Sequence, residues 1–423
     1  MTILEPDLLW LENRFVSGHA VLVDDRTGTI AGVEAGSSVR AAQGDVVRRL
    51  TARALLPGLV NAHSHAFQRL IRGRTQWRPA GAAGADFWSW REAMYQTALG
   101  LSPDDVEAVS RQCFLEMLKA GITAVGEFHY LHRDPAGEPY ADPEELARRV
   151  IRAAREVGIR ITLLDVCYAA GGIEQALLPE QRRFATPDLA AFLGAADALR
   201  AYFESDPAVD IGVAAHSVRS VPWDWLSEIA VWAAGSGAPC HMHLAEQPAE
   251  VDASVAAWGL RPVEVAAEAG LLTPRFTAVH ATHLVPGEIA LLAARGATVC
   301  ACPTTERDLG DGFLPARELT DAGVPIALGT DSQTRIDPFE EMRLLESHER
   351  LRFLGRVVLA EPTASRGDRL EVAPVLIRAA TAGGARALGL DAGRIAPGAL
   401  ADLVSWRGRS WGMTPLRDPV KNI

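Results

Sequence analysis

From about residue 55 onward, the sequence alternates between short apolar runs and longer segments with helical periodicity. This alternation indicates repeated strand and helix units around a parallel sheet. The eight predicted strands are residues 55–63, 123–129, 160–167, 209–216, 238–244, 275–281, 297–302 and 325–330. Eight units favour an α/β fold of the (β/α)8, or TIM barrel, type. A doubly wound open sheet is the alternative, but it more often has five or six strands.

The clearest predicted helix runs from Pro103 to Ala120. Ser102 is the predicted N-cap, Asp105 completes a capping box, and Gly121 ends the helix.

A small β domain is predicted from both ends of the chain. Short β-type runs separated by turn residues occupy the first part of the sequence, and strand-like signals return at 393–404. The predicted division is 1–54 and 390–423 for a small β-sandwich domain, and 55–389 for the barrel. The sequence stops at Ile423 after what looks like the opening of a strand, so we expect a further terminal segment.

The composition excludes several classes of partner. The net charge is −11 and no dense Lys/Arg run occurs, which argues against nucleic acid and membrane surfaces and favours small molecules. Five cysteines in 423 residues indicate a reducing compartment, and the start of the sequence resembles no signal peptide. We expect a cytoplasmic homodimer. The Gly/Ala-rich stretch Pro79–Ala85 is predicted to be a flexible loop.

Histidines cluster at the ends of the predicted strands, where barrel enzymes collect their catalytic groups. Those at strand ends are His63, His65, His129, His216, His243 and His280, and Asp331 follows the eighth strand. We interpret His241 as a hydrogen-bonded core residue, and His132 and His283 as loop residues. His19 and His348 are predicted to be solvated.

Four of these rim residues suit a metal ion. His63, His65, His243 and Asp331 offer three imidazoles and a carboxylate, a set that suits zinc or ferrous iron with a position left for water. The alternative is a cluster of buried neutral histidines, which would leave several polar rings in need of partners at once.

Several motifs carry a family resemblance. They are P-G-L-V-N-A-H-S-H, H-S-H-A-F-Q-R, F-W-S-W-R-E-A-M-Y, F-H-Y-L-H, A-H-S-V-R-S-V, H-M-H-L-A-E, V-H-A-T-H, C-P-T-T-E-R-D-L-G-D-G and G-T-D-S. Together they resemble the amidohydrolase superfamily and, within it, the formimidoylglutamate deiminases of histidine degradation.

The resemblance implies one metal ion, preferably zinc with ferrous iron as the alternative, on His63, His65, His243 and Asp331. Binuclear relatives bridge two ions with a lysine at the end of strand 4. Residues 213–219 contain none, and Lys119 and Lys421 are the only lysines. The residues implied to surround the substrate are Gln68, Arg91, Tyr130, His216 and Arg219.

The implied reaction converts N-formimidoyl-L-glutamate and water to N-formyl-L-glutamate and ammonia. A metal ion can lower the pKa of a bound water to about 7. We expect Asp331 to accept the water proton, His280 to orient the attack, and Glu246 to carry a proton to the departing nitrogen. Arg91 and Arg219 suit the two substrate carboxylates, although both could instead form surface ion pairs.

Two other functions remain open. A nucleobase or purine nucleoside deaminase would share the metal ligands and Glu246, but it would need stacking aromatics and amide groups instead of two arginines. A catalytically silent barrel that serves in assembly or binding would be expected to lack a metal ligand, and none is missing.

Overall fold

The computed structural model describes residues 1–36, 39–78, 80, 86–362 and 369–407. The predicted flexible loop at Pro79–Ala85 lies outside the described residues except for Ala80. Residues 408–423 of the predicted C-terminal part of the β domain lie outside them as well.

The strands of the structure fall into two main sheets. They are β1 Thr2–Leu11, β2 Arg14–Val16, β3 His19–Asp24, β4 Thr29–Ala35, β5 Val46–Pro57, β6 Leu59–Ser64, β7 Ile122–His129, β8 Arg160–Cys167, β9 Val209–Ser217, β10 Cys240–Leu244, β11 Phe276–His280, β12 Thr298–Ala301, β13 Ile326–Leu328, β14 Glu361–Pro362, β15 Leu370–Glu371 and β16 Leu403–Arg407. Strands β14 and β15 form a separate two-stranded pair.

The α-helices lie mainly between the strands from β6 onward. They are α1 Phe87–Leu99, α2 Pro103–Lys119, α3 Glu145–Val157, α4 Leu189–Phe203, α5 Trp223–Ser236, α6 Pro248–Trp258, α7 Pro262–Glu268, α8 Pro286–Arg295, α9 Pro303–Leu309, α10 Ala316–Asp321, α11 Pro338–Phe353, α12 Ala373–Arg378 and α13 Gly384–Ala387. Two 3-10 helices, Ala66–Ile71 and Pro179–Phe184, and a π-helical turn, Ala379–Gly383, complete the helical segments.

Strands β6 to β13 form one eight-stranded parallel sheet in sequential order. Helices cover its outer face, so the strands are buried on both sides and consist of nearly continuous apolar runs. All eight strands predicted from the sequence are present. The TIM barrel prediction is therefore confirmed.

The sheet closes into a barrel between its first and last strands. The backbone N–H groups of Thr330 and Asp331 donate to the His63 carbonyl at 3.1 and 3.0 Å, and the His65 N–H donates to the Asp331 carbonyl at 3.1 Å. The Asn61 side chain also spans the closure, since its amide donates to Thr330 Oγ1 at 2.7 Å and accepts from the Thr330 N–H at 3.0 Å. These bonds fix the ends of β6 and β13 side by side.

Helix α2 shows why the local signals were informative. Ser102 and Asp105 form the predicted capping box, and Pro103 occupies the first turn. The helix ends at Lys119 with Ala120 as its C-cap, and Gly121 follows with φ +90°, a conformation that glycine adopts without strain. The predicted helix is confirmed, with its end one residue earlier.

The small sheet contains strands from both ends of the described chain. Its order is β16, β5, β1, β3 and β4. Strand β3 pairs with the first residues of β1, and β2 pairs with its last residues. Strand β16 pairs antiparallel with β5, joining Leu403 to Pro57 and Arg407 to Arg53. A separate apolar cluster that includes Leu9 and Ile395 underlies this sheet. The exact domain boundaries given above stay a prediction.

No helix among the described residues is both long and apolar enough to cross a membrane.

Gly58 forms the corner between the two sheets. It lies between the last residue of β5 and the first of β6, and its N–H donates to the Asp402 carbonyl at 2.7 Å. A Cβ atom at this position would lie 2.0 Å from Thr123 Oγ1, so nothing larger than glycine fits without movement of β7.

We expect Gly58→Ala to lower the free energy of unfolding by about 1–3 kcal/mol, because overpacking at a buried position forces neighbouring atoms apart. Chemical denaturation measures the change. Gly194→Ala within α4 is the matched control, since a Cβ there meets no atom within 4 Å and alanine favours a helix by up to about 1 kcal/mol. Equal stabilities of the two variants would contradict this account of the corner.

Candidate metal centre and active site

The four predicted metal ligands converge at the carboxyl end of the barrel. His63 Nε2 lies 3.0 Å from His243 Nε2 and 3.1 Å from His65 Nε2. Asp331 Oδ1 lies 3.1 Å from His65 Nε2 and 3.4 Å from His63 Nε2. Donor atoms that share one tetrahedral ion at about 2.0–2.2 Å lie roughly 3–3.5 Å from one another, so the spacing fits a single ion.

The protonation of these groups also fits a metal ion. His65 Nδ1 lies 3.0 Å from the Phe128 carbonyl and must donate to it, which leaves the lone pair of Nε2 for the centre of the cluster. Burial lowers the pKa of His63 to about 3 and also lowers that of His243, so both imidazoles are neutral. Although burial raises the pKa of Asp331, the imidazoles of His63, His65 and His280 that surround it outweigh burial and hold the pKa well below its usual value. Neutral imidazoles and an ionised carboxylate are the forms that bind metal.

The backbone at this rim adopts conformations that side chains disfavour. Ala245, His280, Ala281 and Asp331 all have φ between +45° and +67°. Each follows or ends a barrel strand, and non-glycine residues in this region carry strain that the surrounding structure must hold. The strained positions therefore lie at the carboxyl-terminal rim of the barrel, beside the predicted metal ligands.

His280 and Glu246 lie beside the four predicted ligands. His280 Nε2 is 3.7 Å from Glu246 Oε1 and 3.9 Å from Asp331 Oδ2, while His280 Nδ1 is 3.4 Å from Glu306 Oε1. Burial lowers the pKa of His280, but the surrounding carboxylates outweigh it and raise the pKa well above its usual value. Donor atoms of His63, His243, His280 and Asp331 lie within 4.8 Å of one another, so His280 belongs to the same cluster.

A cavity opens directly over this cluster. Its empty volume is about 520 Å³, and the polar cluster forms its floor. All five residues predicted to surround a substrate line the cavity: Gln68, Arg91, Tyr130, His216 and Arg219. The walls also contain residues for which no substrate contact was predicted: Phe87, Trp90, Met94, Tyr95, Tyr168 and Leu309.

Helix α1 supplies much of one wall. Asp86 caps it through the Ser89 N–H, and the helix lays Trp90, Arg91, Met94 and Tyr95 along the cavity. The guanidinium of Arg91 lies over the Trp88 ring, 4.4 Å from its centroid. Stacking on an aromatic face holds the guanidinium in place while leaving its N–H groups free to bind an anion.

The fold and the cluster agree with comparisons to known proteins. The sequence profile of the Amidohydrolase family matches residues 54–422. The chain belongs to the amidohydrolase family.

Among curated relatives, formimidoylglutamate deiminase of Pseudomonas aeruginosa is 42% identical over 83% of this chain and 76% of its own length. A 5-methylthioadenosine/S-adenosylhomocysteine deaminase of Natronomonas pharaonis is 33% identical over 95% of this chain and 83% of its own. These relatives support a hydrolase of the deaminase type.

Solved amidohydrolase structures share the whole architecture. An amidohydrolase from Brucella melitensis has a TM-score of 0.86 and 36% identity, covering 96% of this chain and 86% of its own. An adenosine deaminase from Xanthomonas campestris with bound zinc has a TM-score of 0.80 and 27% identity, covering 99% and 87%. The resemblance to the amidohydrolase superfamily seen in the motifs is confirmed.

Three buried glutamates of this amidohydrolase site were not singled out from the sequence. Glu127 accepts from Ser64 Oγ and from the Ala66 N–H, both at 2.6 Å, and so fixes the backbone around His65. Glu306 accepts from the Cys302 N–H at 2.7 Å and faces His280. Glu250 accepts from the N–H groups of Ala245 and Glu246. Glu127 could have been recognised from the sequence, because a glutamate within an otherwise apolar strand indicates a buried carboxyl group.

The other histidine predictions had mixed outcomes. His241 is buried and its Nε2 lies 2.8 Å from the Ala387 carbonyl, which confirms a core role. The prediction that His348 is solvated was wrong, because its ring packs against Phe313 and is only 7% exposed. Phe313, in the loop before α10, covers this face of α11, and a lone histidine on a helix does not reveal which face it occupies.

Asp165, at the end of β8, is a buried carboxylate outside the metal cluster. Burial raises its pKa to about 7, and its Oδ1 has no hydrogen-bond partner among the described residues. A carboxyl whose pKa rises on folding stabilises the fold at low pH, and this contribution is lost as the pH rises from about 4 through 7.

We therefore expect Asp165→Asn to be more stable than the wild type at pH 8, by roughly 1–3 kcal/mol, and to show little gain at pH 4. Denaturation at several pH values measures the difference. Asp252→Asn, at an exposed position of α6, controls for the loss of one negative charge. A gain that does not depend on pH would contradict burial as the cause.

Proposed function

We propose that this amidohydrolase converts N-formimidoyl-L-glutamate and water to N-formyl-L-glutamate and ammonia, using one divalent metal ion, preferably zinc. The metal would be held by His63, His65, His243 and Asp331. The observation that carries the proposal is a pair of arginines, Arg91 and Arg219, that face the cavity above these ligands without a carboxylate at hydrogen-bonding distance. The 42% identical deiminase relative supports the same substrate.

The Arg219 guanidinium is buried but incompletely paired. Its nearest carboxylate oxygens are Glu246 Oε2 at 3.7 Å and Glu250 Oε2 at 3.9 Å, both beyond a good hydrogen bond. Its Nε has no hydrogen-bond partner among the described residues. A buried cation with free donors is costly unless an anion completes its bonding, so a substrate carboxylate is the fitting partner.

The Arg91 guanidinium provides the second anion-binding group. It forms no ion pair within the described part of the chain and stacks on Trp88. Formimidoylglutamate carries two carboxylates, and two arginines can each bind one of them with paired N–H donors. In a protein with a net charge of −11, these local positive groups are needed to attract a dianion.

The chain's own groups fit the proton transfers that the reaction requires. A metal ion held by the four ligands would lower the pKa of a bound water to about 7 and so supply hydroxide at neutral pH. Asp331 accepts the proton of the attacking water. His280, held by Glu306, orients that water toward the formimidoyl carbon. Glu246 carries the protons released by the attacking water to the departing nitrogen, which leaves as ammonia.

Two further contacts suit the amidine end of the substrate. Gln68 donates to the Tyr130 hydroxyl at 2.7 Å, while its own buried carbonyl oxygen has no hydrogen-bond partner among the described residues. This oxygen can accept a hydrogen bond from a formimidoyl N–H. His216 packs edge-on against Tyr168 and His243, which places it beside the metal cluster on the wall that also contains Arg91 and Arg219.

A purine nucleoside deaminase is the alternative, and the 33% identical methylthioadenosine deaminase relative favours it. A neutral nucleoside, however, would bring no anion to Arg91 or to the incompletely paired Arg219. Incompletely paired charges act against binding of a neutral ligand, so the arginine pair favours the dicarboxylate. The homodimer and the cytoplasmic location expected from the sequence remain predictions.

The proposed activity is tested by measuring ammonia release from N-formimidoyl-L-glutamate beside methylthioadenosine, S-adenosylhomocysteine and guanine. We expect turnover of the formimidoyl acid at a kcat/KM at least a hundredfold above that of every purine, because only it satisfies both arginines. Turnover of a purine with none of the formimidoyl acid would refute the proposal and support the alternative.

Arg219→Met should lower kcat/KM for formimidoylglutamate by roughly tenfold to a hundredfold, because methionine keeps an unbranched side chain there but removes the charged hydrogen-bond donors. Metal content should stay near one equivalent per chain. Arg155→Met, which removes an exposed arginine paired with Asp206, is the control and should leave the kinetics unchanged. Unaltered kinetics in Arg219→Met would remove it from the substrate site, and two metal equivalents would refute the mononuclear centre.

A further inference from the structure

Three polar residues form a connected group on the cavity wall. Tyr95 belongs to α1, Tyr168 follows β8, and Gln181 lies in the 3-10 helix Pro179–Phe184. All three are at most 3% exposed, and both tyrosines line the cavity together with Arg91 and Arg219. Gln181 Nε2 donates to the Tyr95 hydroxyl at 3.0 Å and to the Tyr168 hydroxyl at 2.9 Å. Neither the metal centre nor the proton transfers described above use this group.

The orientation of the Gln181 amide is fixed by its backbone neighbour. The Leu178 N–H donates to Gln181 Oε1 at 2.8 Å, so this atom is the carbonyl oxygen. The amide nitrogen must therefore face the two tyrosines, and it donates one hydrogen to each. Both phenolic oxygens act as acceptors toward Gln181, and their own O–H groups have to point elsewhere.

The tyrosine O–H groups are held only weakly by the protein. The two phenolic oxygens are 3.3 Å apart, longer than the 2.7–2.8 Å typical of hydroxyl hydrogen bonds, and only one of them can donate to the other. Ser220 also reaches the Tyr168 hydroxyl. Burial raises the pKa of Tyr168, so this hydroxyl keeps its proton at neutral pH. A carboxylate entering the cavity would accept a stronger, charge-assisted bond from these groups.

We propose that Tyr95 and Tyr168 donate hydrogen bonds to the substrate carboxylate bound beside Arg91 and Arg219, and that Gln181 is the positioning residue that directs their O–H groups into the cavity. The inference rests on the proposed function, since it assigns recognition of that substrate's acid group. It adds to the two arginines a neutral pair of donors.

Such a wall distinguishes carboxylates from neutral groups. The two arginines and the two tyrosines present N–H or O–H groups to the cavity, so a hydrogen-bond acceptor is favoured there and a pure donor is opposed. The NH2 group of an amide can only donate, so it would meet donors and leave hydrogen bonds unmade, which is a strong source of discrimination. Arginines alone would attract any anion by charge, whereas the tyrosine hydroxyls add hydrogen-bond donors with fixed positions.

The first test compares Tyr95→Phe, Tyr168→Phe and the double variant with the wild type on N-formimidoyl-L-glutamate. We expect KM to rise in each single variant and by roughly tenfold to a hundredfold in the double variant, with kcat within about threefold of the wild type. Tyr202→Phe, at a tyrosine that is 66% exposed, is the matched control and should leave both constants unchanged.

The second test uses Gln181→Glu, which keeps the size of the side chain and the acceptor for the Leu178 N–H. A carboxylate there can only accept, so both tyrosine O–H groups would turn toward it and away from the substrate. We expect KM to rise as in the double phenylalanine variant, although both hydroxyls are retained. Gln181→Glu combined with Tyr95→Phe and Tyr168→Phe should raise KM little further, because the changes act on the same contact.

The outcomes separate this inference from the proposed function. If the wild type releases no ammonia from formimidoylglutamate, the proposed function fails. If the wild type is active and the folded double variant keeps its KM, the tyrosine contact is overturned while the function stands. A loss confined to kcat, with KM unchanged, would likewise overturn it, because it would indicate a disturbed metal site instead of lost carboxylate binding.

Discussion

The closure of the barrel is the constraint on which the site depends. The same backbone hydrogen bonds that join β6 to β13 involve His63, His65 and Asp331, three of the four proposed metal ligands. Ligands on the first and last strands can meet only when the sheet has closed. The register of this join fixes the separation of their donor atoms at 3.1–3.4 Å, so the geometry of the cluster follows from main-chain pairing. Side-chain packing then refines it.

Buried carboxyl groups are concentrated where closure brings the strand ends together. Several acidic groups surround the cluster, and each is held by N–H or O–H groups of the protein: Glu127 by Ser64 and Ala66, Glu250 by Ala245 and Glu246, and Glu306 by Cys302. Carboxyl groups buried around neutral imidazoles provide an environment that favours a divalent cation. The arginines and the tyrosine pair line the side of the cavity, where Arg219 lies within 4 Å of Glu246 and Glu250. The cavity is thus polarised, with cation-binding groups at its floor and anion-binding groups at its side.

Most of the fold could be predicted from the sequence because its signals are local. Apolar runs revealed all eight barrel strands, and Ser102, Pro103 and Gly121 marked both ends of α2. The predicted ligands could be grouped because carboxyl ends of parallel strands share one rim. Tyr95, Tyr168 and Gln181 could not be grouped in this way. They lie on a helix, a strand end and a short 3-10 helix, and only tertiary packing brings them together. The prediction that His348 is solvated was wrong for the same reason, because its burial depends on tertiary packing.

Strand β5 continues through Gly58 into β6, and this continuity links distant parts of the molecule. One end of the continuous strand pairs with β1 and β16 in the small sheet, and the other end carries His63 and His65. Fraying of the small sheet would therefore loosen the segment that delivers two imidazoles to the cluster. The small sheet therefore stabilises the position of β6 from outside the barrel. Unfolding of this sheet would also disturb the metal-binding geometry, although none of its described residues lines the cavity.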